Sequence, residues 1–254
     1  MRFLIALLGA LALLITPQSA SATGTKPTVV LVHGAFADAS GWNGVIARLQ
    51  AAGYPVIAPA NPLRDLTGDA AYVSSVIKTI PGPVVLVGHS YGGAVITNAA
   101  AGNPNVKALV YVAAFALDSG ESAQDVLGRF PGSKLPGALI VRPYPGGADA
   151  YIAPARFREV FAADVPSSTT RLLSAGQRPV AAGALQTPSG APTWSVLRSW
   201  YLIPGGDQAI PPAAQRFMAG RAGSKVIELP GASHAVMVSR PSTTAAVILA
   251  AAHS

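Results

Sequence analysis

Short aliphatic runs at 28–32, 55–59, 84–87, 108–113, 200–203 and 225–229 alternate along this chain with helical patterns at 41–52, 69–80, 92–101, 211–221 and 243–252. The runs are mostly continuous in apolar residues and do not switch between apolar and polar at every step. A strand covered on one face would alternate; a strand buried on both faces has no reason to. Strands separated by helices, each long enough to cross back over the sheet, close into a parallel sheet with right-handed connections. The expected fold is therefore α/β, a doubly wound and mostly parallel sheet with helices on both faces.

One interval breaks that rhythm. Between 118 and 192 the only strand-like run is a short one at 138–141, and helical patches fall at 154–162 and 169–175 between Pro and Gly. An insertion of that size between two sheet strands reads as a small, mainly helical cap over the carboxyl edge, where open α/β sheets bind ligands. Phe130, Tyr144, Tyr151, Phe157 and Phe161 give it the aromatic surface of an apolar pocket. The first 22 residues carry Arg2, an apolar stretch from 3 to 15 and Ala20-Ser21-Ala22, the pattern of a cleaved export signal. That apolar stretch is too short to span a bilayer, and no other segment is long and apolar enough to do so. The expected organisation is an export signal at 1–22 and one catalytic domain at 23–254, secreted or periplasmic, with 118–192 as its cap.

Composition narrows the chemistry. There are no cysteines, which removes thiol nucleophiles, iron–sulfur clusters and cysteine-ligated zinc. The formal charge of +7 is scattered, with neither a basic run nor a basic stripe interleaved with aromatics, so nucleic acid is not an expected partner. The four histidines lack metal-ligand spacing and no phosphate-binding loop is present, so no metal or cofactor is expected. Nothing in the sequence fixes an oligomeric state.

The chemistry centres on Gly88-His89-Ser90-Tyr91-Gly92. A G-x-S-x-G string is weak alone, but here an apolar strand runs into it and a helix follows, the setting of a nucleophile elbow. Such a turn holds its serine in a strained conformation at the top of the sheet, and Gly88 and Gly92 remove the side chains that would crowd it. The helix beginning behind Ser90 favours developing negative charge. The first strand leads into His33-Gly34-Ala35-Phe36, placed to complete an oxyanion hole with the Tyr91 amide. Ala35 is the expected second donor, with Phe36 as the alternative, while His33 reads as structural. Among the histidines, only His234, in a small-residue loop after the last strand, lies late in the chain and at the correct edge for a base. The acid is Asp207, which gives the chain order Ser90, Asp207, His234, or else Asp118, which could instead cap a helix. Phe36, Tyr151 and Phe161 are expected to line the substrate pocket.

These segments, 30–36, 87–93, 207–211 and 231–234, resemble the α/β-hydrolase superfamily. Within it the chain is similar to the small-cap plant methylesterases and hydroxynitrile lyases and their bacterial esterase relatives, over nearly all of 26–252. The resemblance implies a serine hydrolase acting on a small or medium uncharged carboxylic ester through an acyl-enzyme on Ser90. Hydroxynitrile lyases of this group carry lysine just after the catalytic histidine, where this chain has Ala235, and an aspartate nucleophile for halide or epoxide chemistry is replaced by Ser90. A triad-bearing ligand-binding protein with slow turnover, or a lactone, amide or polyester hydrolase, are the competing expectations.

Overall fold

A computed structural model describes residues 25–254; the expected export signal at 1–22 lies outside the described residues. The chain runs from β1 (Thr28–Val32) through a 3-10 turn (Ala39–Trp42) into α1 (Asn43–Ala51), then through β2 (Val56–Ile57), α2 (Leu66–Lys78), β3 (Val84–His89), α3 (Tyr91–Ala99) and β4 (Val106–Val112). An insertion follows with α4 (Ala123–Arg129), β5 (Leu139–Tyr144), β6 (Gly147–Ile152), α5 (Pro154–Phe161), α6 (Ser167–Ala175) and β7 (Val180–Ala181). The sheet then resumes with β8 (Arg198–Pro204), α7 (Pro212–Arg221), β9 (Lys225–Leu229), α8 (Val236–Ser239) and α9 (Pro241–Ala252).

The main sheet has the order β2-β1-β3-β4-β8-β9, with every neighbouring pair parallel. Its strands read as continuous apolar runs because successive residues feed two different cores. Val30, Val32, Leu86, Leu109, Tyr111, Tyr201 and Ile203 face one, with α2, α3, α7 and the cap. Val29, Leu31, Val85, Val87, Val110, Trp200 and Leu202 face the other, under α1 and α9. Each Val or Leu side chain withdrawn from water in this way contributes roughly 1.5–3 kcal/mol, so the interior strands β1, β3, β4 and β8 hold the fold. The run at 55–59 yields only the two-residue β2, since Pro55 and Pro59 donate no ladder hydrogen bond.

Local chemistry sets the ends of the helices. Asp65 accepts from the Gly68 amide at 2.7 Å, so α2 starts at Leu66, three residues earlier than periodicity implied. The cap is helical in α4, α5 and α6, but also carries a three-stranded antiparallel sheet, β5-β6-β7. The hairpin between β5 and β6 turns at Gly146, with φ 88°. Its strands lack a clean apolar pattern because Val141 and Tyr144 are exposed, while Arg142 pairs in register with Asp149. Asp118, weighed as a helix cap, is not one: Ser122 caps α4 in a reciprocal box with Asp125. The cap is fastened by ion pairs from Arg221 to Glu121 at 2.6 Å and from Arg64 to Asp149 at 2.8 Å. No helix among the described residues is long and apolar enough to cross a membrane.

Two buried histidines close the carboxyl ends of β1 and β3. His33 donates from Nδ1 to the Gly34 carbonyl at 2.9 Å and accepts the Asn61 amide at Nε2 at 3.0 Å, so both nitrogens are satisfied in the neutral ring. His89 donates from Nε2 to the His234 carbonyl at 3.0 Å. Desolvation is the largest influence on both rings and lowers their pKa, well below the ordinary value for His89.

Two predictions follow from these contacts. A Cβ on Gly88 would lie 2.5 Å from the Gly92 carbonyl oxygen, whereas one on Gly220 in α7 meets nothing within 4 Å. Gly88→Ala should destabilise by about 1–3 kcal/mol, and Gly220→Ala should stabilise by about 0.5–1 kcal/mol, as read by urea unfolding. Equal effects at the two sites would contradict the close approach. For the histidines, a lowered folded pKa means that the unfolded chain takes up protons first as pH falls. Their contribution is complete above about pH 6.5 and erodes below it by up to about 1.4 kcal/mol per pH unit for each ring. Burial raises the pKa of Asp69, which acts in the opposite sense, so the histidine contribution is read in an Asp69→Asn background. Unfolding free energy should therefore drop between pH 6.5 and 5.5, and a flat profile would count against neutral buried rings.

Candidate active site

The β3–α3 turn puts Ser90 at φ 54°, ψ −125°, a conformation that costs a non-glycine residue about 1–3 kcal/mol. The surrounding backbone over-determines it. The Ser90 amide donates to the Val112 carbonyl at 3.2 Å, and its own carbonyl accepts from Gly93 at 3.0 Å and Phe115 at 3.1 Å. Gly92 packs its backbone onto the Val32 carbonyl with no room for a side chain. Across the gap, a Cβ on Gly34 would sit 2.6 Å from Ser90 Cβ, so the loop after β1 lies directly against the serine.

The amides of that loop differ in their engagement. The Phe36 N–H donates to the Arg178 carbonyl of the cap at 2.9 Å. The amides of Ala35 and of Tyr91, the first residue of α3, have no protein acceptor among the described residues. Beneath the elbow, the Tyr91 hydroxyl donates to the buried Asp69 at 2.9 Å, tying the start of α3 to α2.

His234 and Asp207 meet as an almost fully buried pair, 1% and 2% exposed, with Nδ1 and Oδ2 2.7 Å apart. A carboxylate only accepts, so the proton lies on Nδ1 and leaves the Nε2 lone pair free. Asp207 fills its remaining acceptor sites: Oδ1 takes the amides of Ala209 and Ile210 at 2.8 and 2.9 Å, and Oδ2 also takes Gln215 Nε2 at 2.8 Å. Asp118 is elsewhere, at the cap hinge, 3.8 Å from Arg221. Among the described residues, Ser90 Oγ makes no hydrogen bond to His234; the His234 backbone carbonyl is instead tied to the elbow by the adjacent His89. Its ring lies 4.7 Å from that of His234.

The expected pocket residues divide. Phe36 and Phe161 line one cavity of about 310 Å³, closed by Leu172, Leu173, Met237 and Val238. Phe161 also lies edge-on to His234 at 4.9 Å, so its ring stands between this cavity and the imidazole. Tyr151 does not belong there. It lines a separate hollow under Arg142, whose guanidinium covers its ring at 4.8 Å. Gln215 and Asn61 escaped sequence reasoning: a glutamine on a helix or an asparagine in a loop reads as solvated surface until tertiary contacts bury it. No group of three His, Cys, Asp or Glu among the described residues could hold a metal ion.

Comparison with known proteins agrees with this architecture. A pyrethroid hydrolase of Sphingobium wenxiniae is 31% identical, the match covering 88% of this chain and 87% of that enzyme. A carbendazim hydrolyzing esterase of Nocardioides is 34% identical over 39% of this chain, so this chain spans under half of that enzyme's length, 46%. The crystal structure of polyneuridine aldehyde esterase superposes with a TM-score of 0.77 over 89% of this chain and 98% of its own, at 21% identity, a likeness of fold. The Alpha/beta hydrolase family matches residues 29–247. The chain belongs to the alpha/beta hydrolase family.

Proposed function

We propose that this protein is a serine esterase that cleaves a small or medium uncharged carboxylic ester through an acyl-enzyme on Ser90. The observation that carries the proposal is the buried Asp207–His234 hydrogen bond, set beside a strained serine and two unengaged amides. In the first half-reaction His234 Nε2 takes the Ser90 hydroxyl proton as Oγ bonds to the ester carbonyl carbon. The carbonyl oxygen becomes an oxyanion held by the Ala35 and Tyr91 N–H groups. Collapse breaks the bond to the alcohol, which leaves with the proton from His234. Water then repeats the sequence on the acyl-enzyme, releasing the acid and restoring Ser90. Asp207 stays ionised, holding the imidazole tautomer and its transient cation.

A cavity of about 310 Å³ on the far side of Phe161 from His234, walled mainly by Phe, Leu, Met and Val with the Asp38 carboxylate and Gln177 also in its lining, supports a mainly apolar substrate. Relatives named for hydrolysing a pyrethroid and carbendazim support the same class. Ala235 in place of lysine argues against cyanohydrin cleavage.

The triad is tested by turnover of p-nitrophenyl esters. Ser90→Ala should abolish activity and labelling by a fluorophosphonate. Asp207→Asn should lose about 10⁴-fold in kcat, because the ring is freed to take the wrong tautomer, while Asp118→Asn should stay within about tenfold of wild type, as a surface ion pair contributes little. Turnover surviving Ser90→Ala would refute the acyl-enzyme, and a folded wild type without turnover would leave a ligand-binding protein. The cavity is tested by selectivity. Phe161→Ala should change the preference between short and long acyl chains by about tenfold, on the order of the 1–3 kcal/mol that a methylene-scale change in a hydrophobic pocket carries. Tyr151→Ala should leave that preference unchanged; the opposite result would move the pocket to the β5–β6 side of the cap.

A further inference from the structure

The loop that carries His234 is anchored at three successive residues. The Ser233 hydroxyl donates to Asp164 Oδ1 at 2.5 Å, the His234 carbonyl accepts from His89, and the Ala235 amide donates to the Phe161 carbonyl at 2.8 Å. The first and third anchors come from the cap, where Asp164 lies in the turn between α5 and α6. Asp164 reaches further. Its Oδ2 lies 3.4 Å from Arg240 Nη1, just beyond the end of α8. One carboxylate thus clasps the segment 233–240 on both sides of α8, with His234 next to the Ser233 contact.

We propose that Asp164 is a positioning residue which, through Ser233, holds His234 in register with Ser90 and so makes the base depend on a seated cap; this rests on the serine esterase reading above. The imidazole has one side-chain hydrogen bond of its own, to Asp207, and that bond fixes its tautomer but permits the ring to pivot about it. The backbone at 233 and 235 must resist that pivot. Ser233 is buried, and among the described residues Asp164 is the acceptor its hydroxyl uses. A displacement of about 1 Å in a catalytic group costs on the order of 10²-fold in rate, which makes a single well-placed hydrogen bond consequential.

The test is a double-mutant cycle on the full protein, with Ser90→Ala as control. Asp164→Ala, Ser233→Ala and the double variant are compared for kcat and KM on p-nitrophenyl acetate, for the rate of fluorophosphonate labelling, and for thermal midpoint. Each single variant should lose about tenfold in kcat and in labelling rate, with KM within about twofold. The double variant should be no worse than Asp164→Ala alone, since that variant already removes the Ser233 interaction. Asp164→Asn, which keeps an acceptor for the Ser233 hydroxyl, should recover most of the rate. Losses carried by KM, losses that track the thermal midpoint, multiplicative effects in the double variant, or no recovery with asparagine would each overturn the proposal. Full activity in the Ser233 and Asp164 variants beside a dead Ser90→Ala would sink the positioning role alone, whereas an active Ser90→Ala would sink the esterase reading beneath it.

Discussion

Backbone crowding at the β3–α3 turn governs much of this molecule. For Ser90 to stand at the top of the sheet, the chain must pass from the end of a buried strand into a helix within one residue, at a positive φ that side chains resist. It can do so only because β1 and β4 grip it from both sides. The loop after β1 packs against the serine through Gly34, and β4 supplies the Val112 carbonyl to the Ser90 amide. Those two strands are themselves fixed by the two cores on opposite faces of the sheet. The strain at one residue is thus carried by hydrophobic burial distributed over the interior strands.

The same arrangement gives the site its electrostatic character. Asp207 is taken almost wholly out of water, which would be costly for a bare carboxylate. Two backbone amides, a glutamine and the imidazole replace the solvation it loses, so the charge is stabilised where it can act on His234. The buried neutral rings of His33 and His89 contribute differently, as shaped donors and acceptors that brace loops without adding charge beside His234.

The sheet was legible in the sequence because burial on both faces leaves uninterrupted apolar runs, and β3 ending in Gly88-His89-Ser90 marked the elbow. Chain order favours Asp207 over Asp118, and in the structure it is Asp207 that meets His234. The hairpin of β5 and β6 was not legible, because Arg142, Tyr144 and Asp149 sit where a half-buried strand would place apolar residues. Nor could sequence show that the Phe36 amide is engaged, since its acceptor, Arg178, is distant in the chain and is brought near only by the seated cap. Gln215 and Asn61 were hidden for the same reason: a polar side chain acquires its role from the partner that tertiary folding delivers.

The two margins of the main sheet carry a further consequence. At one side β2 is only two residues long and bracketed by Pro55 and Pro59; at the other, β9 displays Lys225 and Glu228, the latter ion-paired to Arg216 at 2.5 Å. A foreign strand approaching the first margin finds almost no row of free amides and carbonyls, and at the second it meets bound charge. A sheet this rich in aliphatic strands would otherwise be a template for polymerisation through its backbone. Both margins of the main sheet are thus blunted from within, one by brevity and proline and the other by paired charge.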